Sequence, residues 1–458
     1  MNNTTRAVIA TAAIGALLIP LAGCGNTTTS SGKTELTVWS WDTSINRAAK
    51  SFMKANPDIT VKVSNVGQPN ETYTALNNAA QAGSGLPDVT LIEYLAIPQF
   101  VHSDTLMDLS KVYNTAKLKD TFTPGTWNSV NINGGLYAMP ADSGPMAYFY
   151  DKDVFDKAGI SEPSTRPASA NHRPPGDEFY EDAKEIRATG SYITSDSGDG
   201  GLFNAMMWAM GGHAYKLNDD KLTINITKDK GAQRFMDLWQ KMRDEDLIDV
   251  HTKSWTDDWM KSLGGGSIAS LISGAWMANN LLQGVPQATG KFRVALLPTI
   301  DGTPINGEYG GSGLAIAKKI PDGKLDAAKK FVEYVTTNDE GIDARVSNGS
   351  FPATTKTLNQ KDFLTRTTLK NTDGSDNEFF GGQKYNEIFS QAAKDVTGKW
   401  EFLPLRTLRP LHLRRQHGIV LRGQNLLQNS CRQLAEGSKG LCQGSRLHRS
   451  VTNTPNGE

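Results

Sequence analysis

Residues 134–160 read GGLYAMPADSGPMAYFYDKDVFDKAGI, and the fold turns on this stretch. Gly134 and Gly135 open a turn and Leu136 to Met139 make a short apolar strand. Pro140 ends that strand, since proline has no amide to offer a neighbour. Asp142, Ser143, Gly144 and Pro145 form a polar bend; Met146 to Tyr150 follow as a second, aromatic strand. An Asp-Lys-Asp turn then leads into a short helix, Val154 to Gly159. Two strands joined by a kinked polar crossing suit a hinge between two lobes, and equally an ordinary loop within one domain.

The flanking chain supplies the context. Upstream, Glu35 to Asp42 opens as a strand rich in strand formers, while Ile45, Ala48, Ala49, Phe52 and Met53 recur at the spacing of one helical face. Ile59 to Val63 is a second strand; Tyr73, Leu76 and Ala80 mark a helix stopped by Gly83 and Gly85; Val89 to Tyr94 is a third strand. Strands alternating with helices predict an open, mostly parallel sheet, whose ligands sit beyond the carboxyl ends of its strands. Those ends are Trp39-Ser40-Trp41-Asp42 and Glu93-Tyr94, and Trp39 and Trp41 share a face if the strand runs through both. Downstream, strands are expected at Ile268 to Ser273, Phe292 to Pro298 and Leu314 to Ala317. A helix carries Leu325, Ala328, Phe331, Val332 and Val335.

Lys+Arg and Asp+Glu number 48 each in the 458 residues, so the overall charge names no nucleic-acid partner. Leu405 to Glu458 holds nine basic and two acidic residues, leaving a mildly acidic body ahead of a basic tail. Three cysteines make no disulfide framework. Arg6 precedes an apolar run from Ala7 to Leu21, short for a membrane span and normal for an export signal. It ends in Leu21-Ala22-Gly23-Cys24 and a Gly/Ser/Thr-rich linker, which resembles a bacterial lipobox and implies lipidation at Cys24. Residues 1–23 are then a signal and 24–34 a flexible linker above the membrane.

Several runs in this order resemble the extracellular solute-binding proteins of bacterial ABC importers, in the carbohydrate-binding branch that includes maltose-binding protein. They are the lipobox, TVWSWD, LPDVTLIEY, the stretch at 134–160, SGAWMANNL, VALLPTIDGTP, GGSGLAIAKK with AAKKFVEYVTT, and KWEFLP at 399–404. The resemblance implies an α/β, two-lobed periplasmic-binding-protein-like fold, each lobe a mostly parallel sheet flanked by helices, and makes 134–160 the hinge. Residues 35–142 and 306–340 would build the first lobe, 143–305 and 341–404 the second. It also implies a monomer that binds an oligosaccharide, meets ABC permease subunits at the membrane, and has no cofactor and no nucleic-acid partner. Two stretches depart from the family pattern, STRPASANHRPPG at 164–176 and the whole of 405–458. Both read like translation in a shifted frame, the first alternatively a loop insertion; the second has no Phe, Trp, Tyr, Met or Asp and is expected to be disordered, with a basic tail for an anionic surface as its alternative.

A sugar presents hydroxyl edges and apolar faces, so its site needs aromatic platforms and side chains that exchange several hydrogen bonds. Trp39, Trp41, Tyr94, Trp276, Tyr309 and Trp400 fall at expected strand ends or turns; Asp42, Glu93, Asp142 and Glu401 are candidate acceptors for hydroxyls. Gly310 and Gly311 would let backbone approach a ligand. Against these stand plain roles: core aromatics, a helix cap for Asp42, a tight turn for the glycines. Trp208, Trp239, Trp255 and Trp259 sit in helical patterns and read as packing. DSGDGG at 196–201 and DGSDNE at 373–378 lack the full spacing of calcium loops, and no HExxH, GxSxG, P-loop or Cys/His metal set occurs. A secreted glycoside hydrolase, which needs two carboxylates across the sugar such as Glu93 and Asp142, and a surface adhesin are the alternative functions.

Overall fold

The computed structural model describes residues 32–160, 175–196, 200–218, 221–297, 306–347 and 349–396. Cys24 with its leader, residues 164–174 of the first departing stretch, Trp400, Glu401 and the tail from 405 lie outside them.

The amino-terminal strand β1 (Thr34–Trp39) points Leu36 and Val38 into a core while its alternate residues face outward. It pairs in parallel with β2 (Ile59–Ser64) on one side and β3 (Val89–Glu93) on the other. The helix Ser44–Ala55 covers this sheet, burying Ile45, Ala48, Ala49 and Phe52, the stripe its spacing predicts. The helix Pro69–Ala82 ends at Gly83, whose φ of 69° lets its amide turn back onto Ala79 and Ala80.

The chain then builds β4 (Met139–Pro140), leaves, and returns much later as β8 (Ser312–Ile316), completing a five-stranded sheet in the order β2-β1-β3-β8-β4. Strand β8 is antiparallel to β3 and to β4. The helix Asp322–Thr337 adds Ala328, Phe331, Val332 and Val335 to this core, with Phe331 edge-on to Phe52 at 5.3 Å. The expected strand at 136–139 is split. Gly135–Leu136 pairs with Asn131–Ile132, and the turn falls one residue early, on Asn133 and Gly134 with φ of 50° and 82°. Asn-Gly with both residues at positive φ matches the twist of a two-residue hairpin.

A second body forms around β5 (Met146–Asp151), all six residues buried. Alternate side chains divide between two clusters. Ala147 and Phe149 meet Phe292, Phe379, Phe380 and Phe389; Met146, Tyr148 and Tyr150 meet Phe155, Phe179 and Trp239. Burial on both faces explains why this strand is apolar and aromatic up to its last residue, Asp151. Its partners, β6 (Ser270–Gly274) and β7 (Phe292–Ala295), both run antiparallel to it. This corrects the expectation of a mostly parallel sheet in each lobe; the two-lobed α/β class stands. The reason is positional. Strand β5 carries the chain away from the first lobe, whereas β6 and β7 run back, Gly274 pairing with Met146 at its start. The carboxyl ends of β1, β3 and β6 therefore all point at the junction. Among the described residues no helix is long and apolar enough to cross a membrane.

Candidate functional site

Among the described residues, three segments cross between the two bodies and are bonded side by side. The first is Asp142 to Pro145, the second Asn306 to Gly311, and the third runs through Phe351, of the second core, to Ala353, of the first. The Tyr309 amide donates to the Gly144 carbonyl at 2.8 Å, Met146 to Gly307 at 3.2 Å, and Ser143 to Phe351 at 3.1 Å. Gly144 is required by space, since a Cβ there would lie 2.2 Å from the Tyr309 carbonyl oxygen. The bend read as a hinge or a loop is thus a crossing between two cores.

On the first-lobe side the polar groups are bound to one another. Asp42, just past the end of β1, accepts from the Ser44 amide at 2.7 Å and fixes the start of the helix Ser44–Ala55. Asp142 accepts from the Ser312 amide at 2.5 Å and its hydroxyl at 2.9 Å. Arg345, buried, links them. Its guanidinium donates to Asp42 Oδ2 at 3.3 Å, to Ser350 Oγ at 2.9 Å and to the Ala141 carbonyl, and lies 3.8 Å from Asp142 Oδ2. Burial pushes the Asp142 carboxyl up to about 6; Arg345 opposes that shift and Asp42 adds to it. Glu93 stands apart, its Oε2 accepting from the Tyr73 hydroxyl at 3.1 Å.

Two aromatic expectations on this side are corrected. Tyr94 is 0% exposed, and its hydroxyl donates to the Asp142 carbonyl at 2.6 Å, so its ring is core and cannot stack on a ligand. Burial raises that hydroxyl well above its ordinary range. Trp39 and Trp41 do not share a strand face, because β1 ends at Trp39 and the chain bends at Trp41. Trp39 packs half-buried on the first core; Trp41 meets Tyr73 edge-on at 6.0 Å.

On the second-lobe side the sequence-predicted residues do come together. Trp276, two residues beyond β6, donates from its indole nitrogen to the Tyr309 carbonyl at 2.7 Å and meets the Tyr309 ring at 5.6 Å. Gly310 and Gly311 have φ of 89° and 84°, and a Cβ on Gly311 would lie 2.5 Å from the Tyr94 ring, so the backbone here passes where a side chain would not fit.

Three residues of this junction escaped the sequence. Arg345 lies on the helix Asp339–Val346, where one arginine among exposed charges carries no signal. Glu308 is 3% exposed within the second crossing and accepts from the Gly144 amide at 2.7 Å and the Ser143 hydroxyl at 3.0 Å. Burial raises its carboxyl to about 8 against those two hydrogen bonds, with Asp142 adding to the rise. Trp255, read as a helix-packing residue, precedes the helix Asp257–Gly264 and is 50% exposed. Its ring stacks on Trp276 at 5.7 Å. Among the described residues no group of three metal-ligating side chains occurs, and DGSDNE forms a hairpin turn in which Asp373 accepts from Ser375.

A family model described as bacterial extracellular solute-binding protein matches residues 47–372, and the chain belongs to that family. Its curated relatives include a lactose-binding protein of Rhizobium radiobacter, 26% identical over 67% of this chain and 71% of the relative. An arabinooligosaccharide-binding protein of Bacillus subtilis is 23% identical over 71% of this chain and 75% of its own length. Among solved structures, the ABC transporter associated binding protein from B. animalis subsp. lactis, in complex with beta-1,6-galactobiose, is 44% identical with a TM-score of 0.70, covering 81% of this chain and 88% of that one. The galacto-N-biose-/lacto-N-biose I-binding protein of Bifidobacterium longum, in complex with lacto-N-biose, is 25% identical with a TM-score of 0.66 over the same shares.

Proposed function

We propose that this chain is the extracytoplasmic binding subunit of an ABC importer, held to the membrane by lipid at Cys24 and working as a monomer. It captures an oligosaccharide between its lobes and delivers it to the permease. The observation that carries this reading is the meeting, at one set of crossings, of a half-buried aromatic group from the second lobe with the strand ends of the first. Trp276 and Tyr309 offer apolar ring surface; in this reading Trp41 and Glu93, at the carboxyl ends of first-lobe strands, supply the opposite wall. Asp42 and Asp142 hold the junction through Arg345 rather than the sugar. The galactobiose, lacto-N-biose, lactose and arabinooligosaccharide ligands of its relatives support a short oligosaccharide. Only a closed form offers contacts from both lobes, so the ligand draws the open–closed equilibrium toward closure, and the closed form docks.

Titrating intrinsic tryptophan fluorescence with galactobiose, lactose and arabino-oligosaccharides tests the reading. A saturable change with at least one of them is expected, with the sugar recovered intact. Release of monosaccharide, abolished in Glu93→Gln, would favour a hydrolase instead. Membrane attachment should be lost in Cys24→Ser.

A further inference from the structure

From the strain, exposure and packing of Trp255 we infer that it is a specificity-determining residue, the platform on which the second ring of a bound sugar rests. This inference rests on the carbohydrate reading above. Trp255 and Val250 are the two exposed large hydrophobic side chains among the described residues, five positions apart ahead of the helix Asp257–Gly264. Trp255 also has a φ of 65°, where a bulky side chain is disfavoured and asparagine or glycine would sit without strain. Strain of this kind persists where surrounding packing holds it, and it gathers at ligand clamps.

The packing is specific. The Trp255 ring lies 5.7 Å from that of Trp276, the planes 28° apart, and 5.3 Å from that of Trp259. Both supporting indoles are fixed by their own nitrogens: Trp276 donates to the Tyr309 carbonyl at 2.7 Å, Trp259 to Ser195 Oγ at 2.9 Å. An indole backed by two locked indoles presents its ring with little rotamer freedom left to lose on binding. Because Trp255 lies against Trp276, apolar surface continues outward from the junction over Trp255. A single ring at Trp276 leaves the outer surface bare, whereas a ligand of two or more rings covers both. Trp255 thereby sets the minimum ligand length, and it favours sugars whose second ring exposes an apolar face.

Calorimetric titration of the wild-type chain, Trp255→Asn and Trp255→Phe with galactose, galactobiose and lactose tests this. Asparagine removes the ring and tolerates the backbone, so the fold should persist; an unchanged thermal midpoint checks it, and Trp255→Gly, which also removes the ring and suits the positive φ, serves should that variant not fold. The expected result is at least a tenfold loss of disaccharide affinity in Trp255→Asn, galactose affinity unchanged, and most of the loss restored in Trp255→Phe. Equal losses for mono- and disaccharide, or no loss, would overturn the assignment, as would a gain in affinity, which would make Trp255 an occluding residue. A wild-type chain that binds none of the three, nor arabino-oligosaccharides, would instead remove the carbohydrate reading itself.

Discussion

The two sides of the junction are built on opposite plans. On the first-lobe side, carboxylates and hydroxyls are bonded to one another around one buried guanidinium: Asp42, Asp142, Ser44, Ser350 and the Ala141 carbonyl all meet Arg345. On the second-lobe side, Trp276 and Trp255 spend few polar groups on each other and keep ring surface at the solvent boundary. A saturated polar cluster is rigid and costly to break, because each lost partner leaves a buried group unsatisfied. An aromatic ledge is inexpensive to expose and gains when a sugar covers it. The first side should therefore govern stability and the geometry of the crossings, the second affinity.

The largest effect that could break this division is at Arg345. Replacing it by alanine leaves Asp42 and Asp142 near each other without their shared cation. The expected cost is about 3–5 kcal/mol of unfolding free energy, the range for breaking a buried ion pair, read from urea denaturation. A loss under 1 kcal/mol would mean the cluster is no more than a surface contact.

Trp276→Ala is the mirror experiment. It removes the anchored indole from the aromatic ledge, and disaccharide affinity should fall by about 2–4 kcal/mol, the scale of an interface hot spot, in calorimetric titration. Urea stability should change less than in Arg345→Ala, because Trp276 is half-buried while Arg345 is enclosed. Reversal of that order would erase the contrast between the two sides.

What the sequence made legible follows the same line. The stripe of Ile45, Ala48, Ala49 and Phe52 and the stop at Gly83 are local patterns of spacing and backbone chemistry, and the structure has both; the crossing at Gly144 is open on local signals and is implied by the family resemblance. The rule that a strand end in an α/β lobe points at the ligand side puts Trp276 at the junction, and the structure has it there. Tyr94 was misplaced by the same rule. It lies one residue past β3, where a short 3-10 turn, Tyr94–Ala96, takes its ring inward instead of continuing the strand. Arg345 and Glu308 were illegible because each acquires its role from segments far away in sequence, 303 residues for Arg345 with Asp42 and 164 for Glu308 with Gly144. Trp255 matched a helical spacing with Trp259 but sits outside the helix, at a positive φ that no periodicity reveals.

Glu308 sharpens the comparison through pH. Its carboxyl in the unfolded chain titrates near 4.5, while the folded group holds its proton up to about 8. Between those values the folded state binds more protons than the unfolded, so this residue makes stability fall as pH rises, by about 1.4 kcal/mol per pH unit. The fall levels off above the folded value. Asp142 acts with the same sign between 3.8 and about 6. In Glu308→Gln the decline across the upper part of that window should flatten, measured as urea midpoints from pH 5 to 8.5. An identical slope in wild type and variant would show that Glu308 is ionised in the folded protein throughout.

The smallest effect separates a cap from a ligand contact. Asp42 accepts from the Ser44 amide with one oxygen and faces the Ser44 hydroxyl and Arg345 with the other. Asp42→Ala should cost about 1–3 kcal/mol of stability, since it removes the acceptor of the Ser44 amide and one partner of the buried Arg345, and Asp42→Asn less, since asparagine accepts the same amide bond. Sugar affinity should change less than about threefold in both, because the carboxylate is already engaged on each oxygen. A loss of affinity in Asp42→Asn with stability intact would place the charge itself on the ligand, and the first-lobe side would then bind as well as brace.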